Sequence, residues 1–524
     1  MENWRQSTRL ASGELEKTSI VKNSDLFLIV DNISVGFAAK LVLKNITWQI
    51  KNDEQWAILG PNGSGKTTLM KALWGGIATR IGNVQLFINK HPIDSSKYKK
   101  FIGYISFELH QNLATHEAFQ EELRAFSHKE NKATTAKDVI LSGISVYRKI
   151  NADDNKLMVD IAEKLNITYL LSREITALSS GEMRKTLIAR ALMKSPKLLI
   201  LDEPFDGLDE KSKNDLSSVI NNLAKDNIHI ILITHRVEEI VPNISHILFL
   251  KNGEIFAKGE KEKLLTAENL SNIYEDDVTS DNKYLSSSVS NQSERSDPYN
   301  IPDILIEMKD VNVKYGKTIV LSHFNWIMKK GEDWAILGPN GVGKSTIVKL
   351  ITGDNLQGYA NKIKIFDIEK GTGETVWEIK KHIGIISSEL QIQYRKNMNS
   401  YDVIASGFYD SIGLYHYPTK EEEKRVDKWI EILQISDLAK RNYSHLSYGQ
   451  KRMILLARAM VKSPTLLILD EPCHGLDMVN RKRILDIIET IGETDTHLLY
   501  ITHHKEEILP PITNILHLDK KIKL

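Results

Sequence analysis

Two stretches of the chain share the spacing G-x-x-x-x-G-K-[ST]. The first is Gly60, Pro61, Asn62, Gly63, Ser64, Gly65, Lys66, Thr67 and Thr68; the second is Gly338, Pro339, Asn340, Gly341, Val342, Gly343, Lys344, Ser345 and Thr346. In such a loop the glycines let successive backbone N–H groups point at one phosphate group. A helix starting at Lys66 or Lys344 would add its positive end. The lysine ammonium suits the β- and γ-phosphates of a nucleotide, and Thr67 or Ser345 offers a hydroxyl to Mg2+. A glycine-rich turn with a chance lysine is the bland alternative. Two full matches, each after an apolar run, weigh against it.

A second pair follows, Leu198-Leu-Ile-Leu-Asp-Glu-Pro204 and Leu466-Leu-Ile-Leu-Asp-Glu-Pro472. Four apolar residues read as a buried strand whose end delivers two adjacent carboxylates beside the phosphate loop. Asp202 and Asp470 suit support of Mg2+, while Glu203 and Glu471 suit orienting and polarising an attacking water. Buried acids without partners are costly, so a metal and a nucleotide account for them better than a structural role.

A third pair is Leu178-Ser-Ser-Gly-Glu182 and Leu446-Ser-Tyr-Gly-Gln450, each before a basic, Ala-rich run. Alone, such a serine is a helix N-cap. Here Ser179 and Ser447 each stand 23 residues before the strand-end aspartate. With this third motif the chain resembles the ATP-binding-cassette ATPases. The resemblance implies ATP and Mg2+ as ligands, and implies that Ser179 and Gly181, or Ser447 and Gly449, touch the γ-phosphate bound to the opposite half. It also implies a fold: α/β, two P-loop nucleotide-binding domains in tandem, each a RecA-like parallel sheet with an antiparallel β part and a helical subdomain.

Further residues fit the same family. His235 and His503 end apolar runs and resemble its switch histidine, a γ-phosphate contact; His504 aligns with Arg236 and is read as non-catalytic. Phe37 and Tyr315 both lie 23 residues before the first glycine of their loop and resemble the aromatic that stacks on adenine, with a packed core aromatic as the alternative. The turns Gly207-Leu-Asp209 and Gly475-Leu-Asp477 match the family's dimer-contact loop. One position departs: where the family has a glutamine that meets Mg2+ and senses a membrane partner, this chain has Phe107 and Ser388, followed by Glu108 and Glu389. Either a carboxylate replaces the amide or that coupling is missing.

The elements that must position these residues repeat as well. Trp48, Trp56 and Lys66 pair with Trp326, Trp334 and Lys344 at an offset of 278; Ser179, Asp202 and His235 pair with Ser447, Asp470 and His503 at 268. The first half therefore carries an insert of ten residues between its phosphate loop and its later motifs. Strand-like runs alternating with amphipathic ones imply a parallel α/β sheet in each half, with ligands at the carboxyl ends of its strands. The expected layout is a tail over 1–23, a first ATP-binding domain over 24–265, a connecting segment over 266–303 and a second ATP-binding domain over 304–524. Within the connection, Asp277–Pro302 is rich in Ser, Asn and Asp and reads as a flexible linker. Its random-coil span of roughly 28 Å lets the two domains face each other. The expectation is one head-to-tail pair within the chain, with Lys66, Asp202 and Glu203 facing Ser447 and Gly449, and Lys344, Asp470 and Glu471 facing Ser179 and Gly181.

Bulk properties bound the setting. At 524 residues the chain exceeds one core. Lys+Arg 69 against Asp+Glu 68 leaves no bulk footprint for nucleic acid or anionic lipid. One cysteine, Cys473, excludes an internal disulfide and fits a reducing cytosol. No apolar run reaches membrane-spanning length, and Met1–Asn23 lacks the apolar core of a signal peptide. The expected place is the cytoplasm, peripheral at the inner membrane face if a permease is the partner.

Narrower stretches, among them Gly371-Thr-Gly-Glu-Thr-Val-Trp377, Ser406-Gly-Phe-Tyr-Asp-Ser-Ile-Gly-Leu-Tyr415 and Phe205-Asp-Gly-Leu-Asp209, resemble the tandem ATP-binding proteins associated with molybdate transport, also called the photorepair type. That implies the ATPase component of a transporter; nothing in these residues binds molybdate. A tandem cassette ATPase acting on the ribosome is one alternative, disfavoured by the short, slightly acidic linker and by Asp206-Gly207 and His474-Gly475 where that class has Asn-His. A module for a repair or regulatory complex is the other.

Overall fold

The computed structural model describes residues 26–37, 40–106, 133–144, 150–226, 228–274, 301–315, 318–373, 375–394 and 398–519. Each half is built on a largely parallel sheet. In the first, the strand order is Glu254–Glu260, His246–Lys251, Trp56–Leu59, His229–Ile233, Leu198–Asp202, Ile102–Ser106, the outermost Glu254–Glu260 being antiparallel. In the second it is Ile383–Ile386, Leu466–Asp470, His497–Thr502, Trp334–Leu337, Asn514–His517. The run Leu198–Asp202 is buried at every position, as a central parallel strand covered on both faces requires. Register pairs Asp202 with Ile233 and Asp470 with Ile501. The strands run parallel, so their carboxyl ends share one edge, and from that edge emerge the phosphate loop, the paired acids and the histidine.

A second, antiparallel sheet packs over the amino-terminal part of each half. Leu26–Phe37 pairs with Lys40–Lys51 and Ile81–Ile88, and Ile304–Tyr315 pairs with Thr318–Lys329 and Lys362–Ile365. Tryptophans join the two layers at the same place in both halves. Trp48 meets Trp56 edge-on at 5.1 Å, and Trp326 meets Trp334 at 5.6 Å. Edge-to-face geometry suits the ring quadrupoles, and Trp56 Nε1 and Trp334 Nε1 donate to Glu54 and Glu332 at 3.1 and 3.0 Å.

Helices cover the other face. Ala152–Lys164 and Lys420–Ile432 each begin with a reciprocal cap, Asn151 with Asp154 and Thr419 with Glu422, which satisfies orphan N–H groups of the first turn. A helix over Ala267–Tyr274 falls inside the segment expected to connect the domains. It buries Ile273 and Tyr274 in the first half's apolar core, so the packed part of that half runs past 265 to Tyr274. The expected tail over 1–23, nearly all of the linker over 277–302, and Phe107 and Glu108 lie outside the described residues.

Candidate functional site

Each phosphate loop turns into its helix through a glycine in the left-handed region, Gly65 at φ 103° and Gly343 at φ 112°. A side chain there would be strained, and at Gly65 its Cβ would lie 2.6 Å from Leu43. The lysines are buried and folded back over their own loops. Lys66 Nζ donates to the carbonyls of Gly60 at 2.7 Å and Pro61 at 3.0 Å; Lys344 Nζ donates to those of Gly338 at 2.7 Å and Pro339 at 3.2 Å. Ser64 Oγ is buried without a partner, and open space surrounds Gly63 and Gly341. A hollow with an ammonium, a helix N-terminus and an unpaired hydroxyl fits an anion such as a phosphate group.

The acids stand beside it. Asp202 Oδ2 accepts from Thr67 Oγ1 at 3.0 Å and from Tyr104 OH at 2.9 Å. Burial raises the Asp202 pKa, and those two hydrogen bonds pull against it. In the second half Ile385 replaces Tyr104, as the strand registers Tyr104–Ile200 and Ile385–Ile468 show. Burial and then the Glu471 charge push Asp470 up to about 6. A carboxylate that loses its proton only near pH 6 is one that a cation would hold well. Glu203 and Glu471 follow at φ 50° and φ 49°, a left-handed conformation that costs a non-glycine residue about 1 kcal/mol or more and concentrates at functional positions.

Each glutamate faces its histidine. His503 Nδ1 lies 2.9 Å from Glu471 Oε1, and Lys344 Nζ is 3.9 Å from the same oxygen. His235 Nδ1 stands 3.6 Å from Glu203 Oε1, an ionic contact longer than a hydrogen bond, while its Nε2 accepts from Arg236 Nε at 3.3 Å. Burial opposes charge on His235, but Glu203 outweighs it and the net shift is upward. Burial would raise Glu471, yet His503 holds it down to about 2. Burial would raise Glu203 as well, but His235 outweighs it and the net shift is downward, so both glutamates are ionised at neutral pH. His504, read as non-catalytic, packs against His503 with ring centroids 4.0 Å apart and planes tilted by 40°, and pairs with Glu506.

Atoms of the two halves meet at these loops. The backbone N–H of Asn62 donates to Asp477 Oδ2 at 2.5 Å, and Asn62 Nδ2 donates to Gly475 O at 3.2 Å. The reciprocal contacts join Asn340 N–H to Asp209 Oδ2 at 3.4 Å and Asn340 Nδ2 to Gly207 O at 2.8 Å. Val479 of the second half is buried in the first half's apolar cluster.

Ser179 and Ser447 sit at helix N-termini, and each is a true N-cap: their hydroxyls accept from the N–H of Glu182 and Gln450 at 3.3 Å. Gly181 and Gly449 lie buried in the first turn against Ser212 and Asn480. Tyr315 is half exposed, and its OH accepts from Asn355 Nδ2 at 3.0 Å; the Phe37 side chain lies outside what is described. Glu389 is exposed and pairs with Lys349 at 3.0 Å. Ser388, at the departing position, instead accepts from the buried Arg452, whose Nη2 also donates to Glu471 O at 3.1 Å. Sequence reasoning missed Tyr104 and Arg452, since neither belongs to a spaced motif.

The fold and the site define a P-loop cassette carried twice, and the chain belongs to the ABC transporter family of ATP-binding proteins. The family model matches residues 43–206 and 321–474. Among curated relatives, the ABC transporter ATP-binding protein ModF of Escherichia coli (strain K12) is 36% identical over 88% of this chain and 91% of its own length. An uncharacterized ABC transporter ATP-binding protein of Schizosaccharomyces pombe is 27% identical over 91% of this chain and 95% of its own. Solved structures that match include the ADP conformation of an ATP-binding cassette of an ABC transporter, 23% identical over 48% of this chain and 99% of that one, with a TM-score of 0.40. A nucleotide-free cassette matches at 23% identity over 48% and 96%, with a TM-score of 0.39. Among the described residues no helix is long and apolar enough to cross a membrane.

Proposed function

We propose that the chain is an ATPase whose two halves close head-to-tail on two ATP molecules, each site completed by the serine-capped helix of the other half. The observation that carries this reading is the reciprocal pair of contacts, Asn62 with Asp477 and Asn340 with Asp209, which joins each phosphate loop to the turn after the other half's acids. Lys66 and Lys344 exchange their loop carbonyls for phosphate oxygens. Thr67 with Asp202, and Ser345 with Asp470, would hold Mg2+, which would neutralise charge on the phosphates. Glu203 and Glu471 orient the attacking water and take its proton on a carboxylate oxygen, and His235 and His503 fix those carboxylates and meet the γ-phosphate. ATP holds the halves together and hydrolysis releases them, a switch driven by differential binding.

The test is turnover by purified protein with MgATP. Glu203→Gln with Glu471→Gln is expected to abolish hydrolysis and to trap a closed, nucleotide-bound form. Unchanged turnover in that variant overturns the assignment.

In this reading the motor drives transport: similarity to the ABC transporter ATP-binding protein ModF along nearly the whole chain favours a cytoplasmic ATPase working with a membrane permease, and the resemblance of the narrower sequence stretches suggests molybdate as the substrate class. Affinity capture on the trapped variant is expected to recover a permease. Ribosomes in its place would favour the translation reading.

A further inference from the structure

In the second half, two amide side chains hold the aromatic expected to meet adenine. Tyr315 is 50% exposed, yet its hydroxyl is tied down: it accepts from Nδ2 of Asn355 at 3.0 Å, and Asn355 is only 8% exposed. The other end of that amide, Oδ1, accepts from the N–H of Gln357 at 3.0 Å, which fixes the way the amide points. Gln357 then spans the main chain of the residue before Tyr315. Its Nε2 donates to Lys314 O at 3.0 Å, and its Oε1 accepts from Lys314 N–H at 3.1 Å. The ring is thus held both at its hydroxyl and at its backbone.

The same turn is joined to the phosphate loop. The helix Lys344–Thr352 starts at that loop and ends at Gly353 in the left-handed region, φ 81°. Asn355 N–H donates back to Lys349 O at 3.0 Å, in the last turn of that helix. From the other side, Tyr315 pairs with Thr318 across a hairpin, and Val320 just beyond would lie 3.0 Å from a Cβ on Gly343 of the loop. Helix, turn and hairpin close a path from Lys344 to Tyr315 and back, which sets the reach from loop to ring. The first half is built differently. At the offset of 278, Phe37, Ile77 and Thr79 stand where the second half has Tyr315, Asn355 and Gln357. Ile77 packs against the apolar core, and Thr79 Oγ1 donates to Gly82 O at 3.3 Å in its own turn.

We propose that Asn355, braced by Gln357, is a positioning residue that fixes Tyr315 at a set distance from the second phosphate loop, so that the base of a nucleotide bound there meets a ring already in place. The proposal rests on the ATPase reading above and on adenine stacking at Tyr315. A base stacks on any aromatic face it can reach, so what the protein controls is where that face stands. A ring fixed beforehand loses no rotamer freedom when the base arrives, and the entropy not lost appears as affinity. The effect belongs to the base alone, because the phosphates are held by Lys344 and the loop.

The experiment measures equilibrium binding to the whole protein carrying Lys66→Ala, which leaves the second loop to bind MgATP, and compares MgATP with magnesium tripolyphosphate, a probe that has the phosphates but no base. Asn355→Leu is expected to weaken MgATP about fivefold and to leave tripolyphosphate unchanged. Tyr315→Phe keeps the ring and removes only the hydroxyl. It is expected to weaken MgATP to a similar extent, and the double variant no further, since both changes remove one hydrogen bond. In protein carrying Lys344→Ala, which reports on the first loop, Asn355→Leu is expected to leave MgATP affinity unchanged. Equal weakening of MgATP and tripolyphosphate, losses that add in the double variant, or full MgATP affinity in both single variants overturns the proposal and leaves the ATPase reading standing. A wild-type protein that binds no MgATP overturns both.

Discussion

Asn62 and Asp477, 415 residues apart in the chain, are joined by a 2.5 Å hydrogen bond from a backbone N–H to a carboxylate oxygen. The same aspartate caps the following helix by accepting from Asn480 N–H at 2.8 Å, so one side chain both starts that helix and holds the opposite phosphate loop. A charged acceptor on a loop N–H is worth more than a neutral one. Asp477→Ala is expected to lower steady-state ATPase turnover about tenfold while costing on the order of 1 kcal/mol of stability through the lost cap. Turnover equal to wild type would show that this contact does not support catalysis.

Val479 tests the same boundary without touching any polar group. It stands two residues after the cap and is buried among apolar residues of the first half, whereas its counterpart Lys211 in the first half is exposed. Burying a valine contributes roughly 1.5 kcal/mol or more, and a buried unpaired charge costs more than that. Val479→Asp is expected to separate the halves, read as a larger radius of gyration by solution scattering in the absence of nucleotide. An unchanged profile would place the hold between the halves elsewhere.

Much of the site was legible because spacing encodes it. A phosphate loop, two acids at a strand end and a histidine at the next strand end each occupy fixed registers, and a parallel sheet brings strand ends to one edge. The repeat offsets then located the second copy residue by residue. Tyr104 was not legible: a tyrosine in an apolar strand reads as core, and only the fold shows its OH on Asp202. Arg452 was hidden in the same way, as one more basic residue on an amphipathic helix, although it is almost fully buried and ties Ser388 to Glu471. The serines show the reverse case. The bland reading of Ser179 and Ser447 as N-caps is correct as geometry and coexists with any role toward a phosphate. The helix over Ala267–Tyr274 lacked a signal because its short apolar pattern resembles its polar surroundings until Tyr274 is seen in the core.

The two lysines give separable readouts. Lys66 and Lys344 each serve one loop, and each is satisfied by its own loop's carbonyls when no anion is present. Lys66→Ala or Lys344→Ala is expected to reduce equilibrium binding of MgATP from two molecules per chain to one, and the double variant to abolish it. Titration calorimetry at a concentration above the dissociation constant counts the sites. Retention of two equal sites in either single variant would contradict the assignment of one site per loop.

Asp333 and its counterpart Gln55 share one structural task, although Gln55 is a neutral, longer side chain whose Nε2 also donates to the carbonyls of Ala224 and Ile228. Gln55 Oε1 accepts from Ile230 N–H at 2.6 Å, and Asp333 Oδ1 accepts from Leu498 N–H at 2.6 Å, each joining the start of the phosphate-loop strand to its neighbour. Burial raises Asp333 from 3.8 to about 6, with the Leu498 hydrogen bond pulling partly against it. A carboxyl whose folded pKa lies above its unfolded one favours the fold while protonated, and that contribution is lost as pH rises from about 4 through 6. Asp333→Asn keeps the acceptor and removes the charge; a neutral amide oxygen already accepts at this place in the first half. The variant is expected to gain on the order of 1 kcal/mol over wild type at pH 7, after allowance for partial exposure, and to gain nothing at pH 4. Asp470 titrates in the same window, but it is present in both proteins and cancels in the difference. Denaturant midpoints measured for both proteins across that range decide the matter: parallel curves would mean that Asp333 is solvated enough to ionise freely in the fold.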